Sequence, residues 1–447
     1  MFGGHGRERY GIVAAVSQPD LAPDALARVV VVGASLAGLR ACETLRGRGF
    51  AGSITLIGAE EHLPYDRPPL SKKLLAGEWE PERIALRKAG DVDALGLELR
   101  LGAQAVGLDL GARAVALADG SDVPFDGLVV ATGSRPRRLP GQGAGVYELR
   151  TLDDALALRA VLVPAARVVV IGAGFIGLEV AATARARGCT VTVLEGAPSP
   201  LIRGLGPEMG TAAAAHHGDD GTVVRCGVIV TAVHPDRVEL AGGEVVAADA
   251  VVVGIGVAPN SEWLEGSGLH VRDGVVCDET LCAGVTGVYA AGDVARWPNA
   301  HFAEEMRVEH WTNAAEQGAA AAENLLAVAR GGAPVAYAPV PFVWSDQGRH
   351  RLQLLGRAEP FDHVEIVVGS AAARAFVALY GRQGRLRGAL GVDLPRLVMP
   401  YRRLLTDGVS WEEALDFAAT QRAAHELESR HIRKTNCRGD GSIAFNL

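Results

Sequence analysis

The sequence predicts an α/β protein in which one parallel-sheet unit occurs twice and a small α+β domain follows. The first observation is an internal repeat: residues 28–60 and 167–195 align, and three glycines of the first copy recur 139 positions later. The second is that each copy opens with a Val/Ile run, which is typical of a parallel strand buried on both faces. The third is the length of 447 residues, which allows about three domains.

Charge and hydropathy exclude several classes of protein. The 44 basic and 52 acidic residues give a net charge of −8 without a basic block, which argues against a nucleic-acid partner. No apolar run approaches the ~18 residues that span a bilayer, and the apolar stretch Ile12–Val16 is shorter than a signal-peptide core of roughly 7–15 residues. We therefore expect a cytoplasmic protein with no membrane partner.

The six cysteines and the histidines do not indicate a metal or disulfide site. No CxxC pair is present, and six cysteines in this length form no disulfide framework. Cys277 and Cys282 have the spacing of some redox-active disulfides, but their flanks predict a loop that enters a buried strand. His216 and His217 are adjacent, a poor pattern for shared chelation, and their polar surroundings predict a surface helix. We expect no metal site.

The second copy of the repeat carries a complete dinucleotide-binding motif. Gly172, Gly174 and Gly177 follow a buried strand, and Glu195 comes 18 residues after the last glycine. In such a unit the glycines permit a tight turn, a close approach of a pyrophosphate and close helix packing, while the acid binds a ribose. The motif predicts a Rossmann-like nucleotide site.

The first copy carries the same motif with one departure. Gly33 and Gly38 occupy the outer glycine positions, but Ser35 stands where the middle glycine would be. Glu60 follows Gly38 by 22 residues and is the candidate ribose acid. A single motif of this kind is a weak signal, whereas two in correct strand–helix context predict two nucleotide sites.

Two further strand–turn segments set the domain order. DGLVVATG (126–133) and VYAAGD (288–293) are predicted as buried strands that end in small-residue turns, and they flank the second unit. After a Pro/Gly-rich linker, HRLQLLG, VEIVV, AFVALY and LRGALGV predict short strands, and PRLVMPYRRLLTDG predicts a helix. The predicted organisation is an N-terminal extension (1–27), a discontinuous first domain (28–148 and 270–340), an inserted second domain (149–269), a C-terminal domain (341–421) and a polar tail (422–447), for which we expect disorder.

Longer motifs resemble one family. The matching segments are PYDRPPLSKKLL (64–75), DGLVVATGSRP (126–136), LRTLDDA (149–155), GAGFIGLE (172–179), GIGVAPN (254–260), AAGDVA (290–295), RVEHWTNAAEQG (307–318) and VWSDQ (343–347). Together they resemble the FAD-dependent NADH:ferredoxin reductases that serve oxygenases. That class includes putidaredoxin, biphenyl-dioxygenase and rubredoxin reductases, within the glutathione-reductase-like flavoproteins. The resemblance covers about residues 28–410.

The resemblance implies roles for individual residues. FAD contacts are implied for Gly33, Ala37 and Gly38 (pyrophosphate), Glu60 (adenosine ribose), Lys72 (flavin ring), Arg150, Asp293, Trp311 and Trp344. In many relatives the ribose acid sits at the position of Ala59, one residue before Glu60. NADH contacts are implied for Gly172, Gly174, Gly177, Glu195 and Gly256. Glu179, expected on the first turn of its helix, is implied as the partner of Lys72 beside the reacting flavin nitrogen.

The implied activity is electron transfer. Hydride from NADH would be accepted on FAD, and single electrons would pass to a small iron–sulfur ferredoxin of the two-iron two-sulfur type. This ferredoxin would feed a haem-thiolate monooxygenase or a ring-hydroxylating dioxygenase. An acidic ferredoxin would dock on a basic rim, for which the candidates are Arg67, Lys72, Lys73, Arg307, Arg349 and Arg351.

Two other functions remain open at this stage. One is an NADH-dependent peroxide or disulfide reductase, which needs a cysteine near the flavin, but the segment 64–75 contains none. The other is a flavoprotein with a mainly binding role, as in relatives of apoptosis-inducing factor. His310, next to Trp311, is expected in the pocket without a catalytic role, because hydride transfer to flavin needs no enzymic base at the substrate carbon.

Overall fold

A computed structural model describes the backbone of residues 26–436 and the side chains of 26–426. The first part contains β1 (Arg28–Val32), α1 (Leu36–Gly47), β2 (Ser53–Ile57), α2 (Lys73–Ala76), α3 (Ala89–Asp93), β3 (Glu98–Arg100), β4 (Ala105–Asp109), β5 (Ala114–Leu117), β6 (Asp122–Pro124), β7 (Gly127–Val130) and β8 (Ser134–Pro136). Val30 of β1 pairs in parallel with Thr55 on one side and Leu128 on the other. The predicted N-terminal extension lies almost entirely outside the described residues.

The second part repeats this arrangement. It contains β9 (Val146–Tyr147), α4 (Leu152–Val161), β10 (Arg167–Ile171), α5 (Phe175–Ala186), β11 (Thr190–Glu195), α6 (Ile202–Ala214), α7 (His216–Asp219), β12 (Val223–Cys226), β13 (Val230–Val233), β14 (Arg237–Leu240), β15 (Val245–Ala247), β16 (Ala250–Val253) and β17 (Val257–Pro259). Strands β12, β11, β10, β16 and β9 form one parallel sheet in that order. The two copies of the sequence repeat are therefore two separate sheets with the same local fold.

The chain then returns to the first sheet. This part contains β18 (Val275–Val276), β19 (Val288–Ala290), β20 (Ala295–Asn299), β21 (Glu304–Met306) and α8 (Trp311–Ala329). Strand β19 pairs in parallel with β7, which completes the sheet order β19-β7-β1-β2-β3. Helix α8 packs against α1. A strand from beyond the second unit thus lies in the first sheet, as the order of the two small-residue turns predicts.

The C-terminal part is an antiparallel sheet covered by helices. It contains β22 (Phe342–Gln347), β23 (His350–Gly356), β24 (His363–Ser370), β25 (Ala375–Arg382), β26 (Arg385–Val392), α9 (Pro395–Val398), α10 (Tyr401–Asp407) and α11 (Trp411–Asn436). The sheet order is β22-β23-β26-β25-β24. Four of these strands were predicted, and β22 adds a fifth. The predicted helix is two short helices, α9 and α10.

Helix α11 corrects the expectation for the tail. We expected disorder after about Arg422, but α11 continues through Asn436. Polar composition was a poor guide here, because the segment is rich in Ala, Glu and Arg, which have high helix propensity. The last eleven residues, 437–447, lie outside the described part of the chain. Within residues 26–436, none of the helices combines the length and apolarity needed to cross a bilayer.

Candidate functional site

Each of the two parallel sheets carries a glycine turn directly after its central strand. Gly33 (φ +123°) and Gly172 (φ +105°) adopt a backbone conformation that disfavours a side chain. A Cβ on Gly38 would lie 1.9 Å from the carbonyl oxygen of Gly33, and one on Gly177 would lie 2.1 Å from that of Gly172. The helices α1 and α5 can therefore approach their strands only because these positions lack side chains.

The middle position of each turn differs as the sequence predicts. A Cβ on Gly174 would meet no atom within 4 Å, so the face of the turn at the start of α5 is open. Ser35 occupies the matching place before α1, and its hydroxyl accepts a hydrogen bond from Arg67 at 3.3 Å. Open backbone at the N-terminus of a parallel-sheet helix suits a phosphate.

Glu195 ends β11 and lies next to the second turn. Its carboxylate accepts hydrogen bonds from the backbone N–H groups of Ala173 (2.7 Å) and Ala197 (2.8 Å). These bonds fix the carboxylate beside the open turn. Gly256 (φ +103°) lies on the connection between β16 and β17, and a Cβ there would lie 3.3 Å from the guanidinium of Arg203.

Glu60 occupies a different place in its own unit. It lies three residues beyond the end of β2, and its carboxylate is 2.6 Å from the Arg67 guanidinium. The hydroxyl of Tyr65 also donates to this carboxylate. Glu60 is thus engaged by two neighbouring side chains, and neither contact could be read from the glycine motif.

A cluster of charges lies beside the first turn. Arg150 is 3.1 Å from the Asp293 carboxylate, which also accepts a hydrogen bond from the Ser134 hydroxyl at 2.7 Å. The Arg67 guanidinium donates to the backbone oxygen of Arg150 at 2.5 Å. Burial lowers the pKa of Arg150, against the opposing effect of Asp293. Ala37 packs beside this cluster, since a Cβ on Gly292 would lie 3.2 Å from its methyl group.

Glu309 and His310 face the same region. Burial raises the pKa of Glu309, with Arg307 acting in the opposite direction at 2.7 Å. Burial lowers the pKa of His310 to about 4, so its imidazole is neutral at pH 7. Its buried Nδ1 atom has no hydrogen-bond partner among the described residues. His310 thus offers a neutral ring with an unpartnered nitrogen next to Trp311.

Lys72 and Glu179 meet between the two repeated units. The Lys72 ammonium is 2.7 Å from Oε2 of Glu179, whose side chain is only 3% exposed. The hydroxyl of Ser71 donates to Oε2 at 2.5 Å and that of Ser345 donates to Oε1 at 2.6 Å. Glu179 is the fifth residue of α5, so it begins the second turn of the helix and not the first. Sequence reasoning missed both serines, although each lies inside a matching motif.

Aromatic side chains close the site from the C-terminal side. The Trp311 and Trp344 rings meet edge to face with centroids 6.0 Å apart, and Phe342 stacks on Trp344 at 5.9 Å. The Trp311 indole N–H donates to Asp66 at 2.6 Å. Burial raises the pKa of Asp66, although Trp311 and Lys72 act against it. The two tryptophans and the Lys72–Glu179 pair are thus parts of one site.

The residues named for the two predicted sites form two groups. One surrounds the first turn and extends to the Lys72–Glu179 pair; the other surrounds the second turn. The first group contains Gly33, Ala37, Gly38, Glu60, Lys72, Arg150, Asp293, Trp311 and Trp344, and the second contains Gly172, Gly174, Gly177, Glu195 and Gly256. Glu179 lies on the helix of the second turn and contacts the first group.

Comparison with known proteins agrees with this arrangement. Residues 27–318 match the pyridine nucleotide-disulphide oxidoreductase family, and residues 342–422 match the reductase C-terminal family. The first match alone spans more than half of the chain. The chain belongs to the pyridine nucleotide-disulphide oxidoreductases.

Named relatives of this oxidoreductase are similar over most of their length. The ferredoxin–NAD(+) reductase component of the anthranilate 1,2-dioxygenase system of Burkholderia cepacia is 40% identical over 390 residues, which is 85% of this chain and 94% of the relative. Rhodocoxin reductase of Rhodococcus erythropolis is 38% identical over 385 residues, 84% of this chain and 89% of the relative. The predicted resemblance is confirmed.

Solved structures confirm the predicted glutathione-reductase-like fold. The covalent putidaredoxin reductase–putidaredoxin complex matches with a TM-score of 0.82 and 32% identity, covering 89% of this chain and 99% of that one. The ferredoxin reductase for the CYP199A2 system from Rhodopseudomonas palustris matches with a TM-score of 0.81 and 36% identity, covering 88% and 98%. As an oxidoreductase of this family, the protein uses FAD and NADH.

The residues around the first turn fit FAD. The turn at Gly33 leaves no room for a side chain, and Arg67 and Arg150 supply positive charge beside it. The unpartnered Nδ1 of His310 and the Lys72 ammonium supply polar groups farther along the same site. Bare backbone, guanidinium groups and a buried ammonium are suited to a pyrophosphate and a polar ring system.

Two expectations about surface residues are wrong. His216 and His217 are 2% and 1% exposed, because α7 packs against the C-terminal sheet, where the His216 and His350 rings meet at a tilt with centroids 4.3 Å apart. Three candidates for the basic rim are enclosed and paired with carboxylates: Arg67 with Glu60, Lys72 with Glu179, and Arg307 with Glu309. Lys73, Arg349 and Arg351 are exposed.

Proposed function

We propose that this protein is the NADH-dependent ferredoxin reductase component of an oxygenase system. It takes hydride from NADH onto FAD and delivers single electrons to a two-iron two-sulfur ferredoxin, which serves a haem-thiolate monooxygenase or a ring-hydroxylating dioxygenase. The ferredoxin–NAD(+) reductase components of the anthranilate, p-cumate and benzene dioxygenase systems match over most of both chains. A structural neighbour is a covalent complex of such a reductase with its putidaredoxin.

The observation that carries the proposal is the ion pair between Lys72 and Glu179. It joins the first unit to the second at the place where the two nucleotide sites must meet. Bound FAD supplies the conversion of a two-electron donor into two one-electron transfers. The chain holds a positive charge at this place, and the buried carboxylate of Glu179 offsets the cost of desolvating the ammonium.

The remaining residues divide between the two nucleotides. Around the first turn, Gly33, Ala37 and Gly38 hold the FAD pyrophosphate, and Arg150 and Asp293 fix polar groups beside it. Glu60 serves the adenosine ribose through the carboxylate that Arg67 and Tyr65 orient. Trp311 and Trp344 exclude water from the ring end of the site.

The second turn holds NADH. Gly172, Gly174 and Gly177 receive its pyrophosphate, Glu195 accepts from its adenosine ribose, and Gly256 lies near the nicotinamide. The domain boundaries that we propose follow from the same division: the FAD domain comprises 28–148 and 270–340, the NADH domain 149–269 and the C-terminal domain 341–421. A cytoplasmic location belongs to the proposal.

A peroxide or disulfide reductase is a weaker alternative. Such an enzyme needs a thiol of low pKa close to the flavin. Cys42 lies on α1 near the first turn, but it is fully buried, and this burial raises the pKa of its thiol to about 12. The segment 64–75, where a redox cysteine would face the flavin, contains none. A mainly binding role, as in relatives of apoptosis-inducing factor, leaves the second nucleotide site without a use.

The test is reconstitution with a two-iron two-sulfur ferredoxin. The purified protein should be yellow and lose its colour with NADH under anaerobic conditions, and it should reduce cytochrome c only when the ferredoxin is added. This reaction should slow as salt rises from about 50 to about 300 mM, because exposed charges are screened over roughly 10 Å at ~0.1 M. NADH–ferricyanide activity, which needs no docking, is the control.

Two results would contradict the proposal. Cytochrome c reduction without added ferredoxin would show that the protein does not need a ferredoxin to carry its electrons. Peroxide or disulfide reduction at a rate above that of the ferredoxin reaction would favour the alternative enzyme. Charge reversal at Arg349, whose side chain is 75% exposed, tests whether the surface beside β22 is the docking face.

A further inference from the structure

A line of buried hydrogen bonds leads from α7 to the Lys72–Glu179 pair. His217 Nε2 lies 2.8 Å from the side-chain oxygen of Gln347. The Gln347 amide donates to the Ser345 hydroxyl at 3.1 Å, and this hydroxyl donates to Oε1 of Glu179 at 2.6 Å. All four side chains are at most 3% exposed. We call this series the His217–Glu179 chain.

The direction of every bond in the chain is fixed. The Glu179 carboxylate can only accept, so the Ser345 hydroxyl donates to it. The Ser345 oxygen then accepts from the Gln347 amide nitrogen, which leaves the Gln347 oxygen facing His217 and accepting from its Nε2–H. Burial lowers the pKa of the His217 imidazole, which favours its neutral form. Each donor therefore points toward the carboxylate.

The His217–Glu179 chain of hydrogen bonds joins three parts of the fold. His217 and Glu179 belong to the second unit, on α7 and α5, whereas Ser345 and Gln347 lie on β22 of the C-terminal part. Lys72 and Ser71 come from the first unit and bind the other carboxylate oxygen. Both oxygens of Glu179 are thus held, one from each side.

We propose that Ser345, Gln347 and His217 are positioning residues that fix the Glu179 carboxylate and, through it, the Lys72 ammonium beside the flavin ring. None of the three touches the reacting atoms. Their effect is to keep one positive charge in one place, where it stabilises the reduced flavin electrostatically. The inference rests on the proposed function in one respect, which is the approach of Lys72 to the flavin.

The experiment measures the midpoint potential of the bound flavin by anaerobic dye-linked titration of the holoenzyme, without ferredoxin. The variants are Ser345→Ala and Gln347→Met, which remove the hydroxyl and the amide donor without adding charge. Matched controls in the C-terminal part are Ser370→Ala, at the end of β24, and Gln383→Met, in the turn between β25 and β26, since both side chains are exposed. Thermal unfolding and FAD dissociation are measured in parallel on each protein.

In Ser345→Ala we expect the reduced flavin to be stabilised about tenfold less than in the parent. For a two-electron couple this moves the potential about 30 mV more negative. Gln347→Met should shift it in the same direction by a smaller amount, and the controls should leave it unchanged. FAD dissociation should change little. Thermal unfolding should occur at a lower temperature in both single variants, because each leaves a buried hydrogen-bonding group without its partner. A packing defect alone would lower the unfolding temperature and leave the potential in place.

A double variant tests whether Gln347 acts through Ser345. In the Ser345→Ala background, Gln347→Met should add almost no further shift, because the route to Glu179 is already broken. Additive shifts would show that Gln347 does not act through Ser345, and this would contradict the proposal. Parent-like potentials in both single variants would contradict it as well. If instead the parent protein bound no FAD, or were not reduced by NADH, the proposed function itself would fail, and this outcome is recognisable before any variant is made.

Discussion

The Lys72 ammonium and the Glu179 carboxylate form a 2.7 Å ion pair between segments that are far apart in the chain. Lys72 follows a short turn of the first unit, and Glu179 lies on the helix that follows the second glycine turn. Both side chains are largely enclosed, with 17% and 3% of their surfaces exposed. The junction between the first and second units therefore contains a positive charge whose position depends on the packing of separate parts of the chain.

Replacing Lys72 by Met should slow flavin reduction by NADH by about tenfold or more, equivalent to about 1.4 kcal/mol of transition-state stabilisation. FAD retention should change far less, because the glycine turn and Arg150 are untouched. Stopped-flow absorbance measures the reduction rate. The matched control is Lys73→Met, since that neighbouring ammonium is exposed and lies 4.9 Å from the Trp79 ring. Equal rates in the parent and Lys72→Met would show that the charge has no part in reduction.

The coenzyme preference should follow Glu195. A 2′-phosphate would face its carboxylate, a contact that costs on the order of 1–3 kcal/mol in a partly screened site. NADH should therefore be preferred over NADPH by about tenfold or more in kcat/KM. Glu195→Ser should lower that ratio, whereas Glu195→Gln keeps an acceptor for Ala173 and tests the charge alone. Equal kcat/KM values for NADH and NADPH in the parent would show that Glu195 does not bind the adenosine ribose.

Two glycines of the second turn should respond differently to alanine. Gly177→Ala places a methyl group 2.1 Å from a backbone oxygen, so it should destabilise the NADH domain by at least about 1–3 kcal/mol. Gly174→Ala meets no atom within 4 Å and should unfold at nearly the parent temperature. It should nevertheless raise the KM for NADH about tenfold, because the methyl group occupies the open face of the turn. A parent-like KM in Gly174→Ala would place the pyrophosphate elsewhere.

Stability should fall in mild acid because of His216. Its burial, with smaller effects from His217 and His350, lowers its pKa to about 4 in the folded protein. Between this value and about 6.5, the unfolded chain binds a proton that the folded chain does not, so stability decreases as the pH falls through this window.

The variant His216→Asn, which cannot titrate there, should show a shallower decline. The difference should approach one proton, or about 1.4 kcal/mol per pH unit. Urea unfolding with excess FAD between pH 4.5 and 7 measures it. His310, whose pKa is also lowered to about 4, contributes equally to both proteins and cancels in the comparison. If the free energies of unfolding of the parent and of His216→Asn fell in parallel with pH, His216 would not be the cause of the acid sensitivity.

The repeat, the glycine turns and the return of a later strand to the first unit could all be predicted from the sequence. These features are local: a buried Val/Ile run, a turn that tolerates only glycine and a helix of fixed length follow each other within about thirty residues. The family motifs likewise placed Lys72, Glu179 and Trp344 in one site before any contact was known. One prediction from local composition was wrong: the polar residues after Arg422 were expected to be disordered, but residues 422–436 are helical.

Only the tertiary structure decided which side chains meet. Ser345 reaches Glu179 because β22 packs against α5, and His216 and His217 are buried because α7 faces the C-terminal sheet. Arg67 points at Glu60 and not at a partner protein for the same kind of reason. A side chain's partner across a domain interface depends on how whole elements pack, and no periodicity or spacing within a single segment carries that information.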